Sequence, residues 1–169
     1  MYFTEYDSPL GKLTLAGGEQ GLAGLWMEGQ KYFGPGLTPE TPRRDDLDVF
    51  LAARHWLDRY FAGEKPQGRE LPLDPGGTPF QQLIWWLLLE IPWGETVTYG
   101  ELARRAAERL GRESMSAQAV GGAVGHNPIS IIIPCHRVVG AKGALTGYAG
   151  GLERKRWLLQ WEGVLGKNG

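Results

Sequence analysis

The segment Gly63 to Pro79 carries four prolines and four glycines, and that density sets the first limit on what this chain can become. Each proline removes a backbone donor and fixes φ, and each glycine adds chain entropy, so neither a helix nor a central strand runs through it. It divides the 169 residues into two regions, 1–75 and 76–169, each with its own hydrophobic pattern. A hydrophobic fraction of 42% is enough for both to bury a core.

The first region alternates with a period of two over Tyr2–Tyr6, Lys12–Ala16 and Leu22–Met27, with Ser8-Pro9-Leu10-Gly11 and Gly17-Gly18 between them as turns. That pattern predicts a small antiparallel sheet. Gly29 to Pro42 reads as loop, after which Leu47, Phe50, Leu51, Trp56, Leu57, Tyr60 and Phe61 recur at helical spacing within Asp45–Ala62. The second region is mainly helical. Thr78-Pro79 opens an apolar helix over Phe80–Leu89; Thr98, three residues before Glu101, caps a helix over Tyr99–Leu110; Ser116 caps another that ends near Gly125. With Gly111–Met115 as the turn, the last two have the outline of a helix-turn-helix unit. Ile129–Ile133 reads as a short buried strand or extended stretch that Pro134 stops.

The second helix of that unit is nearly bare, with Ala117, Ala119, Gly121, Gly122, Ala123 and Gly125. Glycine inside a helix costs about 1 kcal/mol against alanine, so the composition needs a reason. Two stand open: close packing against another helix, or entry into a space such as the DNA minor groove, about 6 Å wide. Charge is also uneven. Up to Tyr99 the chain has eight Lys and Arg against fourteen Asp and Glu, net −6; beyond it, ten against five, net +5. This suggests either a polyanion-facing second region or surface charge unevenly spread. No apolar run reaches the roughly 18 residues of a membrane helix, and the N-terminus lacks the layout of a signal peptide, so a cytoplasmic protein is expected.

Cys135 is the sole cysteine, which excludes an intrachain disulfide and a multi-thiolate zinc site. Neither metal nor cofactor is expected. A cysteine reacts as its thiolate, and the ordinary pKa of about 8.5 falls beside a histidine, a cation or a helix N-terminus. His136 and Arg137 follow within two residues. In a continuing strand Cys135 and His136 would face opposite ways, so their cooperation requires a turn at Pro134. The other reading is a buried structural thiol.

The run from Asn127-Pro128 through Ile133 to Pro134-Cys135-His136-Arg137-Val138-Val139 resembles the active-site segment of the O6-alkylguanine-DNA alkyltransferases, the methylated-DNA-protein-cysteine methyltransferases. The resemblance extends to S-P-L-G-K-L-T-L at 8–15, T-P-F-Q at 78–81, I-P-W-G-E-T-V-T-Y-G at 91–100, A-V-G-G-A at 119–123 and G-Y-A-G-G at 147–151. It implies an α/β N-terminal subdomain of ribonuclease-H-like shape and a mainly α C-terminal domain with a helix-turn-helix, winged-helix-like DNA-binding unit. It further implies a protein that enters the minor groove, flips the damaged guanine out of the stack and takes the O6-alkyl group onto the cysteine. O4-alkylthymine is a possible second substrate.

Carried over by position, the resemblance makes Cys135 the nucleophile, His136 its base through a water, and Glu162 the carboxylate that orients the histidine. Asn127 ties the recognition unit to the active-site turn, and Tyr99 protonates the departing base while crowding the target phosphate. Backbone groups at Cys135, Val138 and Ala149 read the guanine edge, Tyr148 walls the pocket, and Ser130 with Gly150-Gly151 sets its width. Ala117, Gln118, Ala119, Gly122, Thr98, Tyr99 and Arg137 face the DNA. One departure stands out: where the family usually has an arginine before A-V-G, this chain has Gln118. Glutamine can fill the wedge position but offers no phosphate attraction or stacking cation, a task left to Arg104, Arg105 or Arg112.

The product would be a thioether, which water does not reopen, so one molecule acts once; the resemblance also implies a monomer. Other readings are a non-transferring lesion sensor on the same fold, a helix-turn-helix transcription factor and a cysteine hydrolase. The intact cysteine segment argues against the first. The bare helix argues against the second, since major-groove reading needs Arg, Lys, Asn or Gln. Turnover would distinguish the third.

Overall fold

A computed structural model describes residues 1–164 and separates the chain into two compact units. The first comprises Met1–Gly76 and Pro128–Ile132; the second comprises Gly77–Asn127 and the chain from Ile133 onward.

In the first unit β1 (Tyr2–Ser8), β2 (Gly11–Gly18) and β3 (Gly21–Met27) form an antiparallel sheet in that order. Register starts at the first hairpin, where Ser8 pairs with Gly11 and the Ser8 hydroxyl donates to the Gly11 carbonyl at 2.7 Å. Each sheet edge is partly covered: Phe3 bridges to Arg43 on one side, and Leu22 and Leu25 bridge to Leu73 and Ile129 on the other, which shortens the edge open to another chain. The helix α1 (Asp48–Phe61) lays Phe50, Ala53, Leu57 and Tyr60 into the core beside Leu13, Leu15 and Leu25, all fully buried. Trp26 fills the space over Gly24, where a Cβ would stand 2.1 Å from the indole.

Helix α1 begins three residues later than its apolar spacing suggests. Asp45 is occupied instead with the Thr4 hydroxyl at 2.7 Å and the Arg43 guanidinium at 2.8 Å.

The second unit is built on α2 (Pro79–Leu88), α3 (Tyr99–Leu110) and α4 (Ala117–Gly125), which pack on one another, and on α5 (Leu152–Trp161). Its core contains Ile84 and Leu88, Leu102 and Ala106, Val120, and Leu158 and Leu159. Thr78, Thr98 and Ser116, the residues that the sequence singles out, cap α2, α3 and α4. Thr78 and Gln81 complete a capping box, Thr98 accepts from the Glu101 N–H, and Ser116 accepts from the Ala119 N–H. Gly111 closes α3 at φ 66°, a left-handed position that a side chain resists. The Trp85 indole donates to the Ala123 carbonyl at 2.9 Å and so ties α2 to α4. The apolar run of α2 predicts core positions for both Trp85 and Trp86; Trp85 is buried, but Trp86 is exposed, a correction to that reading.

Two expectations change here. Ile129–Ile133 is no strand: Ile129 makes one bridge, and the chain then turns with Ile131 at φ 70°. A β-branched residue rarely takes that conformation, which marks a turn held by its surroundings. The second is α5, a helix over a segment to which the sequence reading assigns no element. Among the described residues no helix is long and apolar enough to cross a membrane.

Candidate active site

After Pro134, Cys135–Arg137 forms one turn of 3-10 helix that passes into β5 (Val138–Val139). The predicted turn is present, so Cys135 and His136 need not face opposite ways. β5 pairs in parallel with β4 (Val97–Thr98), which brings the first residue of α3, Tyr99, alongside the turn. Asn127, immediately after α4, donates from Nδ2 to the Ile133 carbonyl at 2.8 Å, and its side chain also bonds the Cys135 thiol. The C-terminal end of α5 supplies Glu162.

Two buried side chains of the cysteine turn are joined through one carboxylate. His136 Nε2 lies 2.7 Å from Glu162 Oε2, and Arg137 Nε donates to Oε1 at 2.7 Å. Arg137 Nη1 also donates to the Ile91 carbonyl at 2.6 Å. His136 and Glu162 are enclosed, while Cys135 retains 6% of its surface. His136 Nδ1 is buried and makes no hydrogen bond among the described residues.

The electrostatics follow from burial first. Burial pushes the Cys135 thiol upward, and Asn127 and the Lys155 ammonium offset part of that. Burial lowers His136, against the pull of Glu162 and with the repulsion of Arg137 and Lys155. Burial alone would raise Glu162, but His136 and Arg137 outweigh it and hold the carboxyl at about 2. Tyr99 is raised by burial and by the thiol's charge, with a hydrogen bond to Thr146 acting the other way. A carboxylate paired with a guanidinium, next to a neutral imidazole, leaves Nδ1 as a free lone pair.

Arg137 is a correction. Expected at the DNA, it is instead buried, with its Nε and Nη1 donors turned inward to Glu162 and Ile91. Nor is it the cation that acts on the thiol. That cation is Lys155, which sequence reasoning missed. A signal existed: Lys155, Leu158, Leu159 and Glu162 fall at i, i+3, i+4 and i+7, one face of a helix.

Among the remaining predicted residues, Val138 is buried in β5, and Tyr148 and Ala149 are half-buried in the connection to α5. Ser130 belongs to the first unit, where its N–H donates to the Leu25 carbonyl. Thr98 is the N-cap of α3. Ala117, Gln118, Ala119 and Gly122 are exposed together on α4, while Val120, Ala123 and Val124 face the core. A Cβ at Gly122 or Gly125 would meet nothing within 4 Å, so close helix packing does not account for either glycine. Gly121 alone of the three has a neighbour, the Tyr99 ring at 3.8 Å. Arg104 and Arg112 line a cavity of about 300 Å³ with Ser114 and Ala117.

Two family descriptions match the chain: the ribonuclease-like domain of 6-O-methylguanine DNA methyltransferase over residues 1–75, and that family's DNA binding domain over residues 79–164. The methylated-DNA–protein-cysteine methyltransferase of Haemophilus influenzae is 45% identical over 164 residues, 97% of this chain and 87% of that protein. The Mycobacterium bovis protein of the same name is 49% identical over 162 residues, 96% and 92%. Among solved structures, Mycobacterium tuberculosis OGT in complex with DNA superposes with a TM-score of 0.82 at 45% identity, covering 96% of this chain and 92% of that one. The O6-methylguanine-DNA methyltransferase of Pyrococcus kodakaraensis, at 23% identity and a TM-score of 0.67, shares the fold. The chain thus belongs to the 6-O-methylguanine DNA methyltransferase family, and its residues 79–164 are that family's DNA-binding domain.

Proposed function

We propose that this protein repairs DNA by direct reversal, moving the alkyl group of O6-alkylguanine irreversibly onto Cys135. The observation that carries the reading is the buried arrangement of Cys135 and His136 on a single turn with Glu162 from the end of α5, beside α3 and the end of α4. Neutral His136 with its Nε2–H on Glu162 has Nδ1 available to take the thiol proton through a water. The thiolate sulfur then forms the S–C bond as the C–O6 bond breaks and its electron pair leaves on guanine. The Tyr99 hydroxyl supplies a proton to the departing base, whose product form is neutral guanine, and the proton that His136 took from the thiol restores the Tyr99 hydroxyl. The thioether is stable, so each molecule acts once.

The DNA is met by the exposed face of α4. Ala117, Ala119 and Gly122 present almost no side chain, which suits insertion into a minor groove about 6 Å wide. Gln118 on the same face fills the place of the extruded base. Arg104, Arg105 and Arg112 contact phosphates. Val138, Tyr148 and Ala149 border the flipped base, and the protein works as a monomer in the cytoplasm.

Intact mass before and after incubation with a duplex bearing one O6-methylguanine tests the reading. The expected result is a gain of one methyl that saturates at one per protein and is absent in Cys135→Ser. Lesion binding without any gain would overturn it and leave a sensor.

A further inference from the structure

Lys155 is fully buried in α5, yet no carboxylate among the described residues pairs with it. Its ammonium donates to backbone carbonyls: Val138 at 2.6 Å, Thr146 at 2.7 Å and Gly147 at 3.3 Å. A buried cation without an anion is expensive, and the usual remedies are a partner charge or loss of the proton.

The charges around Cys135 make the imbalance specific. Glu162, at the end of α5, is taken by Arg137 and His136 on the cysteine turn. Tyr99 from α3 and Asn127 after α4 bring no charge at neutral pH. The buried cluster therefore holds Arg137 and Lys155 against one carboxylate, one positive charge in excess. An imidazolium at His136 would add to the excess; a thiolate at Cys135 would cancel it.

We propose that Lys155 is the resident counter-cation of the Cys135 thiolate, and that by gripping Val138, Thr146 and Gly147 it also fixes the edge of the pocket into which the alkylated base comes. It is a positioning residue, since it touches neither the base nor the alkyl carbon. His136 then relays the thiol proton rather than keeping it. Proton accounting agrees: the thiol loses one proton and the guanine gains one, so the transfer is neutral overall and Lys155 stays protonated throughout. Consistent with this placement, burial lowers Lys155 to about 8 while the thiol's charge raises it. The inference rests on the alkyl-transfer reading above, and wild-type methyl transfer checks that reading separately.

The experiment is single-turnover methyl transfer from an O6-methylguanine duplex between pH 6 and 10, for wild type, Lys155→Met and Lys155→Arg, with duplex affinity measured alongside. In Lys155→Met the rising limb should move upward by about one pH unit, a loss of about tenfold at pH 7 that recovers with alkali. Wild type should decline above about pH 8, where Lys155 deprotonates, and Lys155→Arg should delay that decline. A uniform loss at every pH, or no loss, would overturn the proposal, the former reducing Lys155 to a clamp. Should the variants not fold, NMR titration of carbon-labelled lysine in wild type and Cys135→Ser serves instead. Lys155 should titrate lower in Cys135→Ser, and an unchanged value would overturn the assignment.

Discussion

At the scale of single residues, Glu162 is the junction. Its two oxygens serve His136 and Arg137, each at 2.7 Å and all buried. Glu162→Gln leaves a buried guanidinium without its anion, and breaking a buried pair in this way costs about 3–5 kcal/mol. Chemical denaturation should show that loss, and single-turnover assays should show transfer falling with it. Arg137 and the surface arginines separate in a second test. Arg137→Ala should reduce stability while leaving the salt dependence of duplex binding unchanged, since its Nε and Nη1 are held by Glu162 and Ile91 in the interior. Arg104→Ala or Arg112→Ala should leave stability near wild type and lower the salt slope by about one counterion for each arginine removed.

At the scale of elements, α4 gives up intrinsic stability to keep a bare face. Gly122 has open space around it, so Gly122→Ala should stabilise the free protein by about 0.5–1 kcal/mol through helix propensity. The same methyl stands on the exposed face and should weaken duplex binding. Thermal melts and a binding titration in parallel check the pair of effects; a rise in both would separate α4 from the DNA. Much of α4 is legible along the chain. Its cap at Ser116 and its glycines can be read there, because capping and composition are local. The reason for the glycines cannot, since two explanations fit until the space around Gly122 and Gly125 is known. Helix α5 is hidden for a related cause. Its charged run Glu153, Arg154, Lys155, Arg156 masks the apolar face, and only burial of Lys155 with Leu158 and Leu159 reveals which cation points inward.

For the whole molecule, acid should be destabilising through the same cluster. His136 is held below its ordinary 6.5, so below that value the unfolded chain binds a proton that the folded one refuses, and stability falls. Glu162 folds at about 2 instead of 4.5, so a further loss accrues as pH drops from 4.5 toward 2. Thermal midpoints measured from pH 8 down to 4 should decline from about 6.5, and His136→Gln should lose the upper part of that decline.

What the amino-acid sequence determined alone is whatever acts over a few residues: the strand pattern and hairpins of the first region, the helix caps at Thr78, Thr98 and Ser116, the turn that Pro134 imposes before Cys135, and the linear signature that marks the family. What only the tertiary structure decided is where buried charges find partners. Arg137 and Lys155 look alike along the chain, both basic, yet one closes on Glu162 and the other on three carbonyls. The sequence separation between Arg137 and Glu162 is 25 residues, and between Arg137 and Ile91 it is 46. Pairing over such separations is settled by packing and by the penalty for leaving a charge unpaired inside, neither of which is written in local periodicity.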